Sequence, residues 1–520
     1  MFRLIALFLF AGLLSAQEKP KLVVAITVDQ LRQDYLTRFR GEFRGGLERM
    51  LTQGAVFTNA HYEHFPTVTA IGHSTFMSGA TPSVSGIIGN DWFDRDTGKT
   101  VTSVSDDETQ LLGAKGKGSS PRRMLVSTVS DELKLASQGK SKVIGISIKD
   151  RAAILPAGHM ADAAYWVERK SATVLSSTYY FNDLPGWVKQ FNAQRSVARY
   201  AGQVWDLTPY GGTKRTMPAA DDPKFGDTVA MSPFGNDMLL DFLETAVDAE
   251  KLGQRGVTDL LAVSFSSNDV VGHEWGPDYP EVRSITVATD RQFERLFRFL
   301  DERVGMRNVL VVLTADHGVA PVPEVNQARK MPGGRMPAKV IQETVTRRLT
   351  EEFGEGKWIL SPSDHSLYFN RQLIAEKKLR LEQVQDVALA AALSVPRVAR
   401  VYTSEQLTRG TAMADIVSRR VRNGYHETRG ADLMIVLEPY WMYSSSGTTH
   451  GSPYNYDSHV PVIFMGPGIR TGVYRRTIAV NDIAPTLAEL LEVETPSGSA
   501  GRVLAEIFQR STSEPLSGGH

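Results

Sequence analysis

Three aspartates and three histidines sit where short apolar runs give out, and together they could hold metal ions. Asp29 follows LVVAIT (residues 22–27), and Asp269 and His273 lie just past LLAVSF (260–265). Asp316 and His317 end VLVVLT (309–314), and His450 lies in GTTHGSPYNYDSH just before VPVIFM (460–465). Imidazole and carboxylate suit zinc without a thiolate, and none of the 520 residues is Cys. Six ligands are too many for one catalytic zinc. They match two metals roughly 4 Å apart, which can hold the attacking and leaving oxygens of an in-line displacement.

Each pair has a plainer reading. Asp269 and His273, four residues apart, share one face of a helical turn and could form a salt bridge. Asp316 and His317 would point apart in a strand. A turn at Gly318 lets them converge, and a helix N-cap is the alternative. His450 competes with His459, which could instead pack against Tyr456 at a strand edge. The nucleophile must be a hydroxyl, and HFPTVTAIGH offers Thr67 and Thr69. A nearby dication favours the alkoxide, as it lowers the pKa of water from 15.7 toward about 7. Lys149 and Arg151 follow VIGISI (143–148) in SIKDR and could supply cations at the same rim.

The runs themselves are nearly continuous apolar, the pattern of parallel strands buried on both faces. Helical spacing over residues 34–53, 122–135, 282–304 and 482–491 alternates with them. The fold class is therefore α/β, with a central, mostly parallel sheet sandwiched by helices and carrying cap or subdomain insertions. In such sheets ligands bind beyond the carboxyl ends of the strands, where the polar residues stand. Residues 152–235 and 325–445 break the rhythm and are expected to be the insertions. The second of them contains a short strand at 432–438.

Lys plus Arg and Asp plus Glu are both 58, so no net field recruits nucleic acid or an anionic membrane. Residues 1–16 have Arg3, an apolar run and a small-residue site after Ala16, the pattern of a secretory signal. The run is too short to span a membrane. A catalytic unit over 17–505 and a polar tail over 506–520 complete the expected organisation.

The motifs VDQ, PTVTAIGH, SGIIGN, Asp-x-x-x-His, ADHG and a late THG resemble the alkaline phosphatase superfamily. More narrowly, they resemble the branch shared with nucleotide pyrophosphatase/phosphodiesterases. Nearest in appearance are monomeric, secreted or periplasmic bacterial alkaline phosphatases with a threonine nucleophile. The resemblance implies two Zn2+ and a phosphothreonine at Thr69. It places Asp29, Thr69, Asp316 and His317 around one zinc and Asp269, His273 and His450 around the other. Asn90, Lys149 and Arg151 would contact the phosphoryl group. The implied substrates are small phosphate monoesters, with a phosphodiesterase or nucleotide pyrophosphatase on the same metal core as the alternative. The implied chain is a monomer, with no nucleic acid polymer as partner and no membrane once the signal is cleaved.

Overall fold

A computed structural model describes residues 19–363, 365–410 and 414–509. The signal-like segment and residues 510–520 lie outside the described residues. The runs at 22–27, 143–148, 260–265 and 309–314 form strands Leu22–Val28, Val143–Ser147, Asp259–Phe265 and Val309–Thr314. All four are buried along their whole length, as two-sided burial requires. Leu22–Val28 lies between Asp259–Phe265 and Val309–Thr314, parallel to both, and Val143–Ser147 joins in parallel beyond Asp259–Phe265.

The sheet is wider and more mixed than the sequence suggests, with twelve strands among the described residues. The run at 460–465 forms His459–Met465, which pairs antiparallel with both Val309–Thr314 and Ala55–His61. Its continuous apolar character reflects central burial, which is shared by either direction. Within the segment expected to cap the sheet, Ala163–Glu168 and Thr173–Ser177 instead extend it. Residues 338–437 contain a second sheet and a second apolar core. This four-stranded sheet runs Ile359–Ser363, Ser366–Phe369, Leu433–Leu437, Val398–Thr403, and helices Ala338–Phe353 and Leu381–Leu393 share the core.

Two helix expectations are corrected. Residues 34–53 break into Tyr35–Arg38, a 3-10 turn at Arg40–Glu42 and Gly46–Gln53. The break occurs where the Asp290 carboxylate accepts the backbone N–H groups of Arg44, Gly45 and Glu48. The segment 122–135 is helical only over Val129–Ala136, because Thr128 and Asp131 form a capping box that starts the helix there. The expected polar tail begins too early, since Ile507 is buried and Phe508 bridges Ile469. Helices Pro280–Arg303 and Ile483–Leu491 match the apolar spacing. No described helix is long and apolar enough to cross a membrane.

Candidate active site

Strand register assembles the site. Ser147, Ser264, Thr27 and Thr314 form one row across four neighbouring parallel strands. Lys149, Asp29 and Asp316 each lie two residues beyond that row, so the register delivers them to one rim. The strand Asp259–Phe265 continues into helix Ser267–Trp275, whose first turn carries Asp269 and whose last carries His273. The i,i+4 spacing puts His273 Nε2 3.2 Å from Asp269 Oδ1.

Thr69 is the first residue of helix Thr69–Ser78, whose ten residues are all buried. Val68 at its N-cap contributes no side-chain bond. Instead Asn90 Oδ1 accepts the Ala70 N–H at 2.9 Å. Because the oxygen is used there, the Asn90 amide NH2 remains as a donor. A helix N-terminus with a fixed amide beside it favours an anion. Gly72 lets this helix seat against the Asp316 turn, since a Cβ there would lie 2.2 Å from the Asp316 carbonyl oxygen. Gly318 likewise serves close approach, because its Cβ would meet the Tyr456 carbonyl at 2.2 Å.

Two triads able to hold a metal result, Asp269–His273–His450 and Asp29–His73–Asp316. His317 adjoins the second, with Nε2 3.1 Å from Asp316 Oδ2. In each histidine Nδ1 is engaged by a backbone carbonyl: Thr448 for His273, Thr67 for His450, Gly318 for His317 and Thr69 for His73. That fixes the tautomer and aims Nε2 inward, the arrangement metal-binding imidazoles use. Among the described residues the buried His73 Nε2, His317 Nε2 and Asp316 Oδ2 make no well-aligned hydrogen bond and have only ion-pair neighbours, Asp29 beside His73 and the His317–Asp316 pair itself. Buried polar atoms left in this state fit a cation, so the donor set suits divalent metals. His459 lies apart from this group. It stacks on His61 at 4.5 Å, and its Nε2 faces the Thr58 carbonyl.

Lys149 Nζ lies 2.9 Å from Asp29 Oδ2 and 2.7 Å from Asp269 Oδ2, so it joins carboxylates of both triads. Burial alone would lower its pKa, but Asp269 and Asp29 outweigh burial and hold it charged. Burial would raise Asp29 and Asp269. Lys149 and His73 reverse this for Asp29, as His273 and Lys149 do for Asp269, and both fall below the usual carboxylate range. His317 is pushed up to about 9, where Asp316 overcomes burial. His450 falls well below the usual histidine value through burial and the nearby His317 and His273. Arg151 occupies the first turn of helix Asp150–Ala157, and its buried Nε has no hydrogen-bond partner among the described residues.

Two residues of this cluster, His73 and Gln30, have no role among the residues that the sequence motifs imply. His73 ends the quoted PTVTAIGH, and a second histidine four residues after the nucleophile candidate was its signal. Gln30 belongs to VDQ. It adopts φ 65°, donates its N–H to Asp316 Oδ1 and its amide to Asp269 Oδ1 at 2.7 Å, and so ties both triads together. Strain of this kind in a non-glycine residue gathers at functional sites.

Residues 23–459 match the family model for type I phosphodiesterase / nucleotide pyrophosphatase. Alkaline phosphatase PafA of Elizabethkingia meningoseptica is 36% identical, over 98% of this chain and 99% of its own length. A Myroides odoratus protein named as a calcium-transporting ATPase is also 36% identical, over 97% of each chain. The crystal structure of PafA superimposes with a TM-score of 0.89, covering 95% of this chain and all of that one. With the greater part of its length matched in both sequence and fold, the chain belongs to the type I phosphodiesterase / nucleotide pyrophosphatase family.

Proposed function

We propose that this chain is an alkaline phosphatase that hydrolyses phosphate monoesters through a phosphothreonine at Thr69. The observation that carries the reading is the pair of carboxylate–histidine triads at the start of the Thr69 helix, joined by the Lys149 ammonium. Asp29, Thr69, Asp316 and His317 would hold one zinc, with His73 beside them, and Asp269, His273 and His450 would hold the other. When bound, two such cations supply Lewis acidity to the attacking and departing oxygens of an in-line displacement.

The chain's own groups do the rest. Thr69 gives up its hydroxyl proton to solvent, its oxygen forms a bond to phosphorus as the ester P–O bond breaks, and the departing oxygen takes a proton from solvent and leaves as the alcohol. Water then attacks the phosphothreonine, the P–O bond to Thr69 breaks, and inorganic phosphate leaves. The Asn90 amide donates to a nonbridging oxygen. Lys149 and Arg151 balance charge on the equatorial oxygens, which a monoester carries in greater measure than a diester. That extra charge favours the monoesterase over the diesterase activity that the family name also covers.

The proposal includes export directed by residues 1–16 and action as a monomer on small esters in the periplasm or outside the cell. The transport name of the Myroides relative belongs to that protein, and no described helix here could cross a membrane. The test is turnover of an aryl phosphate monoester with zinc present, together with acid-quench trapping of the phosphoenzyme. Thr69→Ala should abolish the trapped species, and full turnover by that variant would refute the nucleophile assignment.

A further inference from the structure

Beyond the metal triads, a cleft of about 460 Å³ runs from the site toward the small four-stranded sheet. Asn90, His273, Thr449 and His450 are among the residues that line it. Asp29, Asp316 and His317 do not line it. Attack and departure lie on opposite sides of phosphorus in an in-line displacement. In the reaction proposed above Thr69 attacks from the side of Asp29 and Asp316, so the departing oxygen would face His273 and His450, which line the cleft.

The walls come from two separate parts of the chain. The hairpin Asp91–Asp94/Lys99–Thr102, which directly follows Asn90, supplies Trp92 and Phe93. The small unit supplies Tyr368, Tyr425 and Met434. Other contacts hold these walls in place. Phe93 packs on Tyr368 at 5.6 Å between ring centres, and Tyr368 donates its hydroxyl to the Arg429 carbonyl. Arg95 stacks on Tyr368 and binds the buried Asp432 carboxylate, which also receives Arg371. The hairpin is thus anchored to the small unit through the buried Asp432 carboxylate and the partly exposed Arg95 and Arg371.

No Lys or Arg lines the cleft, and Asp91 is its one carboxylate among the described residues. Aromatic side chains interleaved with the hydroxyls of Thr100, Ser361, Ser363 and Ser366, and carrying a single negative charge, accept a neutral ring and repel an anion. We propose, building on the phosphatase reading, that this cleft is the leaving-group site and selects monoesters of uncharged aromatic alcohols over those with an anionic leaving group.

The test compares kcat/KM of the zinc-loaded full-length enzyme for phenyl, carboxyphenyl and methyl phosphates. Phe93→Ala removes an aromatic wall worth about three- to tenfold, and the phenyl-to-methyl ratio should fall by that factor. Asp91→Lys, at an exposed position, should raise the carboxyphenyl-to-phenyl ratio by about threefold. Ratios unchanged in both variants, with the wild type active on all three esters, would overturn the cleft assignment alone. A wild type that hydrolyses none of them would overturn the phosphatase reading on which it rests.

Discussion

Replacing Lys149 by Met separates the two tasks this side chain could have. Methionine keeps an unbranched apolar stem in a pocket where the lysine side chain is only 13% exposed. What disappears is the ammonium 2.9 Å from Asp29 and 2.7 Å from Asp269. A monoester brings one more negative charge to this pocket than a matched diester. One unit-charge pair at 4 Å and an effective dielectric of 20 is worth about 4 kcal/mol. Lys149 already shares its charge with two carboxylates, and halving the figure leaves about 2 kcal/mol, or about 30-fold in rate. The assay is kcat/KM for phenyl phosphate and for methyl phenyl phosphate, wild type against Lys149→Met, with zinc in excess. The monoester should lose about 30-fold more than the diester. An equal loss on both would refute the reasoning and leave Lys149 as a counterion of Asp29 and Asp269 only.

Removing metal with a chelator should expose the other half of that balance. Asp29 and Asp269 then depend on Lys149, and Lys149→Met should destabilise the chelated protein by about 3–5 kcal/mol in denaturant titrations, much less with zinc restored. Gly72→Ala would drive a Cβ to 2.2 Å from the Asp316 carbonyl oxygen. It should cost about 1–3 kcal/mol and lower metal affinity in competition with a chromogenic chelator, although Gly72 itself binds nothing. Asp457 is buried, with Oδ1 unpartnered, and burial pushes its pKa from 3.8 up to about 7. An acid whose folded pKa is raised loses stability as pH climbs from the unfolded value toward the folded one. The chelated protein should therefore lose up to about 4 kcal/mol between pH 3.8 and 7, and Asp457→Asn should flatten that slope in denaturation curves at pH 4, 6 and 8.

The chemistry of this chain is unusually legible in its sequence, because strand ends deliver it. Once residues 22–27, 260–265 and 309–314 are recognised as parallel strands, the residues that follow must gather on one rim. Strand register then decides which of them meet, with Lys149, Asp29 and Asp316 in step two residues past a common row. Periodicity could not report strand direction, so the antiparallel placement of His459–Met465 was out of reach. It also could not assign Ala163–Glu168 to the sheet, since a Tyr- and Trp-rich strand resembles a cap segment until its partner Val143–Ser147 is known.

What stayed hidden were the contacts between distant segments that tune the site. Asn90 satisfies the helix start at Ala70 from twenty residues away, a bond that no local pattern encodes. Gln30 is invisible for a different reason. Its left-handed backbone turns the amide under the helix of Asp269, and Gly272 leaves the room, since a Cβ there would meet Gln30 Oε1 at 1.7 Å. A residue type says what a side chain can do, but such close approaches decide where it does it. The glycines at 72, 272 and 318 therefore shape the site as its ligands do, by letting the Asp316 and Tyr456 backbones and the Gln30 side chain approach closely around one rim.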